Sequence, residues 1–133
     1  MPSTTSPAIV HAVRFSNTVR ALRRLGVRYA LGLPFTFLIL ADGERFTLVP
    51  REGDEPFAAF DASRIGPITV AERRERGLHP QVALALIVPV STARGVVELP
   101  VVPIGDDGRR SLLWHDAEVR ALANRITTAL RGS

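Results

Sequence analysis

Residues 35–50 carry the clearest pattern in the chain: an apolar run through Phe35, Phe37, Leu38, Ile39 and Leu40, then Asp42-Gly43, then an alternating run through Phe46, Leu48 and Val49. Asp-Gly between two β-rich runs suits a type I′ turn, in which both central residues take positive φ. A two-residue loop there opposes Ile39 with Phe46, Leu38 with Thr47 and Phe37 with Leu48. One face then carries Phe37, Ile39, Phe46 and Leu48. The other pairs Leu40 with Arg45, Leu38 with Thr47 and Thr36 with Val49, and is mixed. One face is expected to meet the core, and Pro50, lacking an amide donor, ends the second strand.

A second hairpin is predicted by folding residues 83–90 onto 96–104 about a turn at 92–95. That register opposes Val90 with Val97, Val88 with Leu99 and Leu86 with Val101, all on one face. Pro89, Pro100 and Pro103 each remove a ladder donor, which places this hairpin near a sheet edge or makes it bulged. Val96, Val97, Leu99 and Val101 are accordingly the candidate interaction edge.

Helical periodicity marks both ends. Phe15, Val19, Leu22 and Leu25 form one stripe, with Arg20, Arg23 and Arg24 opposite. Two readings compete upstream. Ser6-Pro7 can open one helix over 7–25, which is the favoured reading. Alternatively 8–15 is a strand and Ser16 or Asn17 caps a shorter helix, because Ile9, Val10 and Val13 fall all around a helical wheel. Gly26 supplies the left-handed stop, and 27–33 is expected to run extended. Near the C-terminus, Val119, Leu122, Ile126 and Leu130 make a stripe, Asp116 and Glu118 occupy the first turn, and Gly132 ends the helix. Between the hairpins, Asp54 can cap a helical turn through Phe57 and Phe60. Residues 69–76 read equally as a capped helix from Thr69 to Gly77 or as a strand. Leu112, Leu113 and Trp114 suggest a last short strand.

These elements predict a loose tail over 1–6 and a single α+β domain over 7–133. It holds a mostly antiparallel sheet of about five to seven strands with an N-terminal and a C-terminal helix. Two architectures share this element order: a pleckstrin-homology-like roll, whose bent sheet is closed by one C-terminal helix, and a roadblock- or profilin-like layer on five strands. Element order alone assigns no function.

Composition narrows the chemistry. The chain has no cysteine and no lysine; all 17 basic side chains are arginine. Thiolate metal sites, thiol nucleophiles, Schiff-base lysines and a phosphate-loop lysine are therefore excluded. Net charge is +4, and it is uneven: Arg14, Arg20, Arg23, Arg24 and Arg28 precede the first acid, Asp42, while the other 12 arginines meet 13 acids. No apolar run is long enough to span a bilayer, since residues 29–41 are too few and contain Gly32 and Pro34. A cytoplasmic location is expected.

His11, His79 and His115 show no metal-ligand spacing, and Asp106-Asp107 fits a turn better than a cation site. No nucleophile elbow, glycine-rich phosphate loop or dinucleotide fingerprint occurs, so no cofactor is expected. An enzymatic reading would centre on His115, Asp116 and Asp107 and comes third. The first expectation is a non-catalytic interaction module, a subunit or accessory of a larger complex, that pairs with a partner protein or with itself. The second is an anion-binding module in which Arg20, Arg23, Arg24 and Arg28 meet nucleic acid or acidic membrane. A second arginine cluster, Arg73, Arg74 and Arg76, is interrupted by Glu72 and Glu75, which neutralise much of it.

Overall fold

The computed structural model describes residues 7–75, 81–105 and 115–131. The expected tail, the Gly77 and Gly132 stops, His79, the Asp106-Asp107 turn and the strand at 112–114 lie outside them.

The N-terminal segment corrects the favoured single helix: strand β1 (Ala8–Val13) precedes a shorter helix α1 (Ser16–Arg24). Ala8, Val10 and Ala12 are buried while Ile9 is exposed, a period of two that a strand satisfies and a helix would scatter. Phe15, in extended conformation, is the N-cap residue of α1. The helix ends as expected at Gly26, whose φ is 88°. Val27 N–H donates to the Leu22 carbonyl and Gly26 N–H to that of Arg23, the paired bonds of a Schellman stop. Residues 27–33, expected to be extended, include a 3-10 turn at Ala30–Gly32.

The first hairpin forms from β2 (Thr36–Ala41) and β3 (Arg45–Val49), in a register displaced from the expected one. Ala41 opposes Phe46 and Ile39 opposes Leu48. The Asp42 carboxylate sets this register by accepting the amides of Glu44 and Arg45, each at 2.8 Å. The turn is thereby centred on Gly43 and Glu44, and Gly43 does not take positive φ. Because the displacement is an even number of residues, the faces are unchanged. Phe37, Ile39, Phe46 and Leu48 are all buried.

In place of the expected helical turn at 54–60 there is a strand, β4 (Ala58–Asp61), paired with β3. Its Ala58 and Phe60 point inward, and Ala59 and Asp61 outward. A 3-10 turn (Ala62–Arg64) follows. Residues 69–75 form strand β5 (Thr69–Glu75), the second of the two readings. Strands β6 (Gln81–Thr92) and β7 (Gly95–Pro103) pair in the expected register, Val90 with Val97, Val88 with Leu99 and Leu86 with Val101.

All seven strands form one antiparallel sheet in the order β4-β3-β2-β1-β7-β6-β5. The β6–β7 hairpin is therefore interior, not at an edge. Its prolines fit because each missing donor faces away from a ladder. The Pro89 carbonyl accepts from Gly66 N–H at 2.9 Å, on the flank that β5 has already left. The Pro100 carbonyl accepts from the buried Thr18 hydroxyl at 2.8 Å, on the flank that β1 reaches only at Val102.

The sheet curls on itself. Past β4, Ile65 forms a bridge with Val90 of β6, and the Arg64 guanidinium donates to the Ser91 carbonyl at 2.9 Å. Helix α2 (Asp116–Arg131) packs on β1, β2, β5 and β6. In a flat sheet β2 and β5 would lie about four strand spacings of ~4.8 Å apart, too far for one helix to touch both with β1 and β6. Val119, Ile126 and Leu130 of α2 join Val10, Phe37, Phe46, Leu86, Val88 and Leu99 in one core. The Arg131 guanidinium donates to the Ile65 carbonyl at 3.0 Å and ties the helix end to the seam. Seven antiparallel strands with an N-terminal and a C-terminal helix give the expected α+β class.

Replacing Phe46, which is fully buried, by Ala is expected to lower unfolding free energy by about 3–5 kcal/mol. Thr18→Val keeps the shape but leaves the Pro100 carbonyl without its donor, so a loss of about 1–2 kcal/mol is expected. Urea titration reads both, as a lower midpoint at unchanged slope; a Thr18→Val midpoint equal to wild type would remove this bond from the account.

Candidate functional site

Helix α1 buries Thr18, Val19, Ala21 and Leu22 and turns Arg20, Arg23 and Arg24 outward. The face read from the sequence is thus real, and Arg28, just past the Gly26 stop, is also exposed. The guanidinium groups of these four arginines form no hydrogen bond or ion pair among the described residues. By contrast Arg120 on α2 is bridged to Asp116 one turn away. Arg14 joins the group from the β1–α1 junction. Its guanidinium donates to the carbonyls of Leu31 (3.1 Å) and Leu33 (2.6 Å), which anchors the 29–35 segment beside the helix.

That segment carries large apolar side chains outward: Tyr29 is 79% exposed, Leu31 65% and Phe35 58%. Between it and α1 lies an open groove of about 470 Å³, walled by Arg14, Arg20, Arg23, Val19, Leu31 and Phe35, with Ser16 and Glu75 at one side. Cationic and apolar groups line the same concavity.

Glu75 arrives from the end of β5. Its carboxylate accepts the Ser16 backbone amide at 2.8 Å and the Ser16 hydroxyl at 2.5 Å. Phe15 offers no side-chain cap, so a carboxylate from a distant strand meets the positive end of α1. On β5, alternation puts Arg73 and Glu75 on the same face and Glu72 and Arg74 on the other. The second arginine cluster is thereby divided between two faces, and Arg73 comes to α1 while Arg76 lies outside the described residues. On the flank of α1 away from Leu31 and Phe35, Asn17, Arg20, Arg24 and Arg73 line a smaller hollow of about 140 Å³ with Ala21, Ile87, Glu98 and Pro100.

The structure does not bring the proposed interaction edge to the surface. Leu99 and Val101 are fully buried, Val97 is buried, and β7 runs between β6 and β1. Of the four, Val96 alone is exposed, beside the turn. Of the enzymatic candidates, His115 accepts the amides of Glu118 and Val119 on its carbonyl, Asp116 is bridged to Arg120, and Asp107 lies outside the described residues. Among the described residues no group of three or more His, Asp or Glu could hold a metal ion, and no helix is long and apolar enough to cross a membrane.

Sequence pattern alone does not mark Arg14, Leu31, Phe35 and Glu75 as site residues. Only Arg14 was visible, as a member of the acid-free stretch before Asp42. Leu31 and Phe35 read as ordinary strand and pre-strand residues, and nothing local marks them as exposed. Glu75 becomes identifiable only once 69–75 is a strand that meets α1.

No family model, no curated protein and no solved structure matches this chain.

Glu75→Ala should destabilise the fold by about 1–2 kcal/mol, since it leaves the Ser16 amide uncapped and removes a charge from the helix N-terminus. Thermal unfolding by circular dichroism reads it; a midpoint unmoved by the substitution would mean that water caps α1 equally well.

Proposed function

We propose that this chain is a non-catalytic interaction module that docks a protein segment bearing both carboxylates and large apolar side chains on the α1 face. The observation that supports this most directly is the shared groove: Arg20 and Arg23, which have no partner among the described residues, and the exposed Leu31 and Phe35 wall one concavity. Guanidiniums pair bidentately with carboxylates, and exposed aromatic and aliphatic groups beside them are the composition of a docking patch. Its place would be as a subunit or accessory of an assembly, with a second copy of the chain as one form of partner.

The alternative is that the same arginines serve nucleic acid or an acidic membrane surface. The Glu75 carboxylate at the groove wall opposes a continuous polyanion, and exposed aromatic rings for stacking on bases are few on this face. Those features favour the protein partner.

Fluorescence anisotropy with a short labelled peptide carrying Glu and Asp among Leu and Phe tests the reading, with duplex DNA, single-stranded RNA and phosphatidylserine vesicles as parallel arms. The peptide is expected to bind, more weakly as salt rises. Arg20→Gln/Arg23→Gln and Leu31→Ser/Phe35→Ser should each weaken it about tenfold or more. Tighter binding of DNA, RNA or vesicles than of the peptide would hand the face to the anion-binding alternative. Light scattering on the same chain tests the second-copy form: a dimer dispersed by Phe35→Ser would assign the groove to self-association.

A further inference from the structure

The smaller hollow on the other flank of α1 has a different chemistry from the groove. Arg20 and Arg24 stand one helical turn apart, and Arg73 reaches the same hollow from β5. Like charges at this spacing on a helix repel by a few tenths of a kcal/mol. Here neither helix arginine has a counter-ion among the described residues. Arg73 uses one guanidinium nitrogen on the Glu72 carbonyl, at 2.8 Å, and keeps its other donors. Asn17 adds a side-chain amide, and the small residues Ala21 and Pro100 leave the space between the cations open. One carboxylate, Glu98, stands at the hollow and offsets one of the three positive charges.

We propose that this hollow is a binding site for a phosphate monoester group, carried either on a small molecule or on a phosphorylated side chain. A monoester phosphate holds between one and two negative charges near neutrality and three acceptor oxygens. Three guanidiniums and an amide supply forked and single donors that match those oxygens, and their net charge after Glu98 is of the right sign and size. The hollow is small, so it suits one compact oxyanion and not an extended chain. Leu31 and Phe35 take no part in it. The site therefore stands or falls separately from the docking groove, with Arg20 as their one shared residue.

Titration of the full-length chain followed by amide chemical shifts tests the site, with inorganic phosphate, N-acetyl-phosphoserine amide and its unphosphorylated counterpart as probes. Saturable shifts centred on Asn17, Arg20, Arg24 and Arg73 are expected for both phosphate probes and none for the serine compound. Tighter binding of the phosphoserine compound than of inorganic phosphate would identify the source as a modified side chain, and the reverse a free small molecule. Arg24→Gln and Arg73→Gln should each weaken binding about tenfold, and Glu98→Gln should strengthen it severalfold by removing the opposing charge. Leu31→Ser/Phe35→Ser should leave it unchanged while weakening docking in the groove. Absence of saturable shifts at millimolar phosphate would overturn the proposal. So would equal weakening by the distant control Arg125→Gln, or an indifferent Glu98→Gln in a protein whose spectrum shows it folded.

Discussion

Bonding of Arg64, Ile65 and Gly66 to Pro89–Ser91 ties the chain leaving β4 to β6 at the far end of the strand order, so the sheet curls about the core that α2 closes. Without that seam, β4 and β5 would be the ends of a broad sheet with two faces to cover. With it, the inward residues of both hairpins converge with α2 on one core. Gly66 permits the close approach, since a Cβ there would lie 3.3 Å from that of Pro89. Pro89 in turn supplies a strand flank whose carbonyl is free to accept, at a position where no amide is needed. Curvature, proline placement and core packing are one arrangement.

The same curvature determines what α1 can present. Helix α1 is tied down through the Thr18 hydroxyl on Pro100 and through Glu75 at its N-terminus. Its buried side is occupied by Val19, Ala21 and Leu22, so every arginine on it must face solvent. The 29–35 segment, held by the Arg14 guanidinium, then forms one wall beside the helix, and the end of β5 the other. A helix of nine residues thus separates two concavities of different character, one cationic and apolar, the other cationic and small. Anchoring matters here because a short helix on its own is marginal in water. Its tertiary contacts give the arginines fixed positions.

Much of this architecture is legible in the sequence, and the departures from it share a cause. The β6–β7 register and the α2 stripe followed from pattern alone, because long periodic runs leave one solution. The favoured helix over 7–25 and the helical turn expected at 54–60 give way to strands at Ala8–Val13 and Ala58–Asp61. Each is short, and each becomes a strand because a neighbouring strand, β2 or β3, offers a complete ladder for it to pair with. The Asp42 turn moved by one position because a carboxylate hydrogen bond outweighed the dipeptide preference. Val97, Leu99 and Val101 are buried inside the sheet although proline commonly marks a sheet margin. In this fold it marks the flank of a strand where a ladder has ended.

By itself, the sequence determined the α+β class, the inward faces of both hairpins, the C-terminal helix and the arginine excess ahead of Asp42. These are properties of local periodicity and composition, readable wherever side-chain spacing must match a strand or a helix. Only the tertiary structure decided that Arg73 belongs with Arg20 and Arg24, that Glu75 caps a helix some sixty residues earlier in the chain, and that Leu31 and Phe35 stay exposed. Those relations depend on which strands become neighbours when the sheet curls. No local pattern encodes that, because closure is a property of the whole meander.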